Sequence, residues 1–277
     1  MQQQIGLNSI YFYVLLYAGT VLYYLKAYSS SPVSNPTDKR AKWYFKNIRN
    51  IRWVKAVMFL IIVAAACYAC MTYGKRALSL SPIQYGLLFI FPLAAVLYYG
   101  FSFPGIRPLN LREAGWIKPF VIGFVWSGAV TVYPVILKQI ESDTIYTYSY
   151  LNGIFFIKNW MFITVLCIMF DIKDYAADHN LHLKTFVVRV GLRKTIFSII
   201  IPLVLIGFSA FIVTVIYRRF PVPFILINSI PFIMLIVVAW SLHQRKPILY
   251  YLAIIDGQML VKAACGISAA LLIKSPY

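Results

Sequence analysis

Residues 151–170, L-N-G-I-F-F-I-K-N-W-M-F-I-T-V-L-C-I-M-F, run without a break into D-I-K-D-Y-A-A-D at 171–178. The first part carries a single charge, Lys158, and its apolar residues do not alternate with polar ones. About twenty such residues at 1.5 Å each match the hydrocarbon thickness of a bilayer, so a membrane helix is predicted rather than a barrel strand. The second part gathers three of the chain's eight acidic residues. A membrane helix is therefore expected to deliver a cluster of carboxylates to the membrane surface.

Apolar runs of the same kind recur along the chain. Eight spans are predicted, at about 8–28, 54–73, 82–103, 117–137, 151–170, 195–217, 221–242 and 248–273. Pro92, Pro134 and Pro202 lie inside them, which membrane helices tolerate where neighbours satisfy the freed backbone groups. The chain is 61% hydrophobic and only 12% charged. A soluble domain carries about 25% charged residues, so lipid is the expected solvent for most of this one. The fold class expected is all-α, a polytopic helical bundle, with residues 1–277 forming one integral membrane domain. The opening Met-Gln-Gln-Gln lacks a positive n-region, so the first apolar run is expected to persist in the mature protein.

The net charge of +18 would suggest nucleic acid in a soluble protein. Here the basic residues occupy short loops, and alternate loops hold eighteen against six, with Lys158 and Lys262 inside spans. The positive-inside rule accounts for that split without nucleic acid and puts the basic loops in the cytoplasm. Glu141 and Asp143 then fall on the outer side, away from the aspartate cluster. Tyr and Trp near span ends, such as Tyr98 and Tyr250, form the expected interfacial belt. Cys67 and Cys70 have C-x-x-C spacing but no second pair, so all four cysteines read as buried packing residues.

Asp171, Asp174 and Asp178 are spaced i, i+3, i+7 and share one face of a helix. Three carboxylates on one face repel each other, and carboxylates near lipid are costly. Mg²⁺, a hard cation held by carboxylates and substrate phosphates, relieves both problems. Lys184, Arg189 and Arg193 follow closely and suit phosphate oxygens. The pattern points to a Mg²⁺–diphosphate site at the cytoplasmic face.

D-I-K-D-Y-A-A-D-H-N-L-H-L-K-T-F-V-V-R-V-G resembles the second aspartate motif of the UbiA superfamily of intramembrane prenyltransferases, D-x-x-D-x-x-x-D followed by G-x-K-T-x-P-x-x-x-G. Asp171, Asp174, Asp178, Lys184, Thr185 and Gly191 match; His182 stands in place of Gly and Val187 in place of Pro. The resemblance implies a nine-helix bundle in which two aspartate motifs hold a prenyl diphosphate through Mg²⁺. The carboxylates would serve as metal ligands and catalytic groups, and the isoprenyl group would pass to a lipophilic acceptor, an aromatic or quinone precursor. Aromatic walls would stabilise the developing cation and exclude water. A bacterial inner membrane is the expected location, with the aspartate motif facing the cytoplasm.

The chain departs from that family at its first motif. One span precedes the first basic loop where the family has two, so an N-terminal helix is expected to be missing. The stretch that should carry the motif, V-L-Y-Y-L-K-A-Y-S-S-S-P-V-S-N-P-T-D-K-R, has only Asn35 and Asp38. They read better as turn or cap residues before K-R-A-K-W-Y-F-K, which suits an anionic membrane surface. The third loop resembles the family's basic loop, making Arg107 and Arg112 candidates for the diphosphate. Within the spans, Asp256, Asn159 and Tyr133 are candidate cavity residues; helix–helix hydrogen bonding is the other reading of Asp256 and Asn159, and packing that of Tyr133. Lys158 is expected to snorkel outward. A catalytically impaired relative that binds isoprenoid lipid is the alternative function. A transporter is disfavoured by the lack of internal repeats.

Overall fold

The computed structural model describes residues 9–30, 43–44, 46–99, 115–142, 150–180, 185–244 and 246–272, and leaves out the side chains of 27–30, 99, 174, 176–180 and 272. Among the described residues the regular structure is entirely helical. We number the helices α1 (Ile10–Ser30), α2 (Ile48–Ala77), α3 (Pro82–Tyr99), α4 (Lys118–Ser142), α5 (Tyr150–Asn180), α6 (Phe186–Val190), α7 (Leu192–Arg218), α8 (Val222–Ser241) and α9 (Ile248–Leu271). Each of the eight apolar segments of the sequence falls on one of these helices. Six of them, α2, α4, α5, α7, α8 and α9, are long and apolar enough to cross a membrane. The apolar parts of α1 and α3, Ile10–Lys26 and Pro82–Tyr98, are shorter. These helices define an integral membrane protein.

Three helices contain a wide π turn: Gly128–Val132 in α4, Thr195–Ile200 in α7 and Tyr251–Ile255 in α9. Pro134 and Pro202 explain the first two. A proline ring clashes with the carbonyl four residues back and donates no hydrogen bond to it, and widening the turn relieves the crowding. The third has no such proline, and nothing in its sequence explains it.

Contacts divide the described residues into two compact units. The larger takes in those within 83–137 and 145–277. Its core joins Phe162, Leu166, Met169 and Ile172 of α5 to Ile196, Ile200 and Phe211 of α7 and Phe232, Leu235 and Ala239 of α8. Packing of α4 on α5 is close because α4 offers small buried residues, Pro119, Gly123 and Ser127, at i, i+4, i+8. A Cβ on Gly123 would lie 2.3 Å from Thr164 Oγ1 and 3.1 Å from the Thr164 backbone nitrogen. Trp160 Nε1 donates to the Phe120 carbonyl at 2.9 Å across the same seam.

The smaller unit takes in residues 7–82 and 138–144. Tyr11 of α1 stacks obliquely on Tyr68 and Tyr73 of α2, with centroids 6.2 and 5.8 Å away. Glu141 accepts hydrogen bonds from Ser9 Oγ and from Tyr11 Oη, the latter at 2.7 Å, while Arg76 donates to its carbonyl at 2.9 Å. Glu141 thus ties the ends of three chain segments together. Cys67 and Cys70 are exposed on α2 rather than buried in packing. Most of α2 is exposed, and a thiol is apolar enough to meet lipid.

Candidate functional site

Asp171 lies on α5, which continues as helix to Asn180, well beyond the apolar run. Its side chain is 5% exposed, and Lys118 Nζ sits 2.7 Å from Oδ1. Lys118 is the first residue of α4. Thr164 and Asp171 are seven residues apart on α5, so the ion pair continues the α4–α5 seam that Gly123 and Thr164 open. Asp174 and Asp178 follow at i+3 and i+7 on the same unbroken helix, and their side chains lie outside the described ones.

The chain after α5 returns to the same neighbourhood. Phe186 of α6 meets Phe120 of α4 edge to face at 5.7 Å. Arg189 is exposed on α6, its guanidinium 5.9 Å from the ring centroid of Trp116, two residues before Lys118. Trp116, Phe186, Arg189 and Val190 line a recess of about 370 Å³. Gly191 then turns the chain into α7 with φ +90° and ψ 145°, a conformation that glycine adopts and side chains resist. The glycine of the motif is accounted for by backbone geometry. Lys184, Arg107 and Arg112, and likewise Asn35 and Asp38, lie outside the described residues.

The intramembrane candidates have definite places. Asn159 is buried and its Nδ2 donates to Thr131 Oγ1 at 3.0 Å, joining α5 to α4. Tyr133 donates its hydroxyl to the Leu88 carbonyl of α3 at 2.9 Å. Its ring meets Phe91 edge on at 5.7 Å, in an aromatic cluster with Phe124, Phe156 and Trp160. Asp256 is exposed on α9. Lys158 Nζ lies 3.8 Å from the centroid of Phe155, about one turn nearer the start of α5.

Lys118, one of the eighteen basic residues counted on the cytoplasmic side, was not singled out in the sequence as a member of this site. A signal for more was present. A cation in the first turn of a helix opposes the helix dipole, and no acidic residue shares that turn, so a carboxylate from elsewhere is called for.

Among the described residues no three His, Cys, Asp or Glu side chains converge as a metal site. The donor chemistry of the α5 stripe, carboxylate oxygens alone, suits Mg²⁺. Asp171, Asp174 and Asp178 are the residues that would hold it, and Asp171 is the one whose charge is already shared with a lysine. Together with Arg189, the neighbourhood can offer both acceptors for a cation and donors for an anion. Comparison with protein-family models, curated proteins and solved structures gave no match.

Proposed function

We propose that this protein is a UbiA-like intramembrane prenyltransferase, moving an isoprenyl group from a prenyl diphosphate to a lipophilic aromatic or quinone-precursor acceptor. In this reading all eight apolar helices span the bilayer, and the mouth formed by Asp171 and Lys118 faces the cytoplasm. The observation that carries it is the aspartate stripe at i, i+3, i+7 on one unbroken helix, next to a recess holding Arg189.

The C1–O bond of the prenyl diphosphate breaks with its electron pair leaving on the diphosphate. A nucleophilic atom of the acceptor forms the new bond and releases a proton. Mg²⁺ bound by the aspartates would offset the charge of the leaving group. Lys118 and Arg189 supply fixed positive charge on the same side, which favours the departing diphosphate over the intact substrate. Phe91 of α3 and Phe124, Phe156 and Trp160 of α4 and α5 form an aromatic cluster deeper in the membrane, where a carbocation-like centre would be stabilised and water is scarce.

The test is Mg²⁺-dependent binding of a fluorescent prenyl diphosphate to the full chain in detergent. Asp174→Ala and Asp178→Ala are each expected to weaken it at least about tenfold. Unchanged binding in both variants would remove the proposed site. The Lys118–Asp171 pair favours one other reading, an isoprenoid-lipid-binding relative without turnover, because one carboxylate is already neutralised. Binding with no pyrophosphate release across a broad set of acceptors would identify that relative.

A further inference from the structure

Two lysines lie inside membrane-spanning helices with no carboxylate paired to them among the described residues. Lys262 Nζ sits 3.8 Å from the centroid of Phe162, and Lys158 Nζ sits 3.8 Å from Phe155 and 5.6 Å from Phe211. Phe162 and Phe211 both meet Phe232, at 6.0 and 5.9 Å. The two ammonium groups therefore flank one cluster of rings. Neither makes an ion pair or hydrogen bond among the described residues. Each lies about two turns or more inside its helix, counting from Tyr150 of α5 and from Leu271 of α9.

Ring faces offset only part of the cost of a cation in hydrocarbon. An anion placed near them lowers that cost. The rings around the lysines suit an apolar tail attached to that anion. Gln258, one turn before Lys262 on the same face, is 1% exposed, and its Oε1 has no hydrogen-bond partner among the described residues. A carboxyl group suits these neighbours: its anion is attracted by ammonium groups, and its neutral form donates an O–H to an amide oxygen. A diphosphate fits less well, since several charges would have to shed water far from the surface.

We propose that Lys158 and Lys262 form an intramembrane site for an amphiphilic carboxylate, a long-chain fatty acid being the ligand class. The site goes beyond the prenyl-transfer reading. Along α5 it lies roughly 14 to 20 Å from Asp171, too far to touch a diphosphate held there.

The experiment titrates the full chain in neutral detergent with a fluorescent polyene fatty acid and with its methyl ester. The acid is expected to bind saturably and the ester at least about tenfold more weakly. Lys158→Met and Lys262→Met are each expected to weaken the acid about tenfold while leaving the ester alone. Asp174→Ala keeps acid binding intact, which separates this site from the diphosphate mouth. Equal affinity for acid and ester, or unchanged acid binding in the double Met variant, overturns the proposal. Should the Met variants lose their monodisperse state, the acid–ester comparison on the unmodified protein still decides.

Discussion

A lysine that opens a helix sits against the positive end of the helix dipole, and Lys118 is stable there because Asp171 reaches it from the neighbouring helix. The aspartate is 5% exposed and the lysine 39%. Removing the lysine leaves a carboxylate buried without that charge. A fully buried pair broken this way costs about 3–5 kcal/mol, and partial exposure of the lysine reduces the figure. Lys118→Met is expected to destabilise the protein by roughly 1–3 kcal/mol, and Asp171→Asn on top of it to recover part of the loss. Thermal unfolding of the four members of this cycle in detergent measures the coupling; purely additive losses would deny it. Asp171 was legible in the sequence, since three carboxylates in a basic, apolar chain stand out. Its partner was not, because a lysine at a span end already satisfies the positive-inside rule and prompts no further question. The partner of Asn159 was similarly hidden, because Thr131 is one hydroxyl among many and only the approach of α4 to α5 selects it.

Helices are the most legible elements here, since an apolar segment in lipid has few other ways to satisfy its backbone. All eight apolar segments are helical over most of their described residues, but the helix ends are not where apolarity stops. α2 begins at Ile48 rather than near 54, and α5 continues to Asn180 rather than ending near 170. Apolarity marks where lipid is, whereas hydrogen bonding sets where the helix ends. The packing of α4 on α5 depends on Gly123. Gly123→Ala drives a methyl into Thr164, and overpacking of this kind costs about 1–3 kcal/mol. Thr164→Ala is expected to restore part of that loss, because it removes the hydroxyl at 2.3 Å and leaves the contacts with the Thr164 nitrogen and Trp160 Cδ1, each at 3.1 Å. A melting temperature for Gly123→Ala equal to that of the unmodified protein would show that the seam can open freely. The π turns were not legible as such. Pro134 and Pro202 announce a disturbance but not its form, and Tyr251–Ile255 has no proline to announce it.

For the molecule as a whole, the exposed surface is apolar to an extent that water would not tolerate. Phe59, Leu60 and Met71 on α2 are 59, 65 and 89% exposed, and Leu226 and Trp240 on α8 are 64 and 60%. Such surface belongs against lipid. The segregation of basic residues, eighteen against six, then predicts which ends of the helices share a side. In a background with all four cysteines replaced, Arg193→Cys and Arg219→Cys are expected to react with an impermeant thiol reagent from opposite faces of the membrane. These residues stand near the two ends of α7. Labelling of both from one face would show that α7 does not cross the membrane. Composition carried this level of the fold because lipid imposes it on every helix alike. The division into two compact units was not legible, since it depends on which helices touch, and apolar side chains in lipid meet a neighbouring helix or an acyl chain with similar ease.

The wide turn at Tyr251–Ile255 sets the azimuth of everything that follows it in α9. One residue more than a regular winding needs rotates the downstream side chains by about 100° about the axis. Asp256, Gln258 and Lys262 take their bearings from that offset. Deleting one residue there would touch none of the three, yet it would swing them a quarter turn away from their present neighbours. In this helix the direction in which a charged group points is stored in the phase of the backbone, several residues away from the group itself.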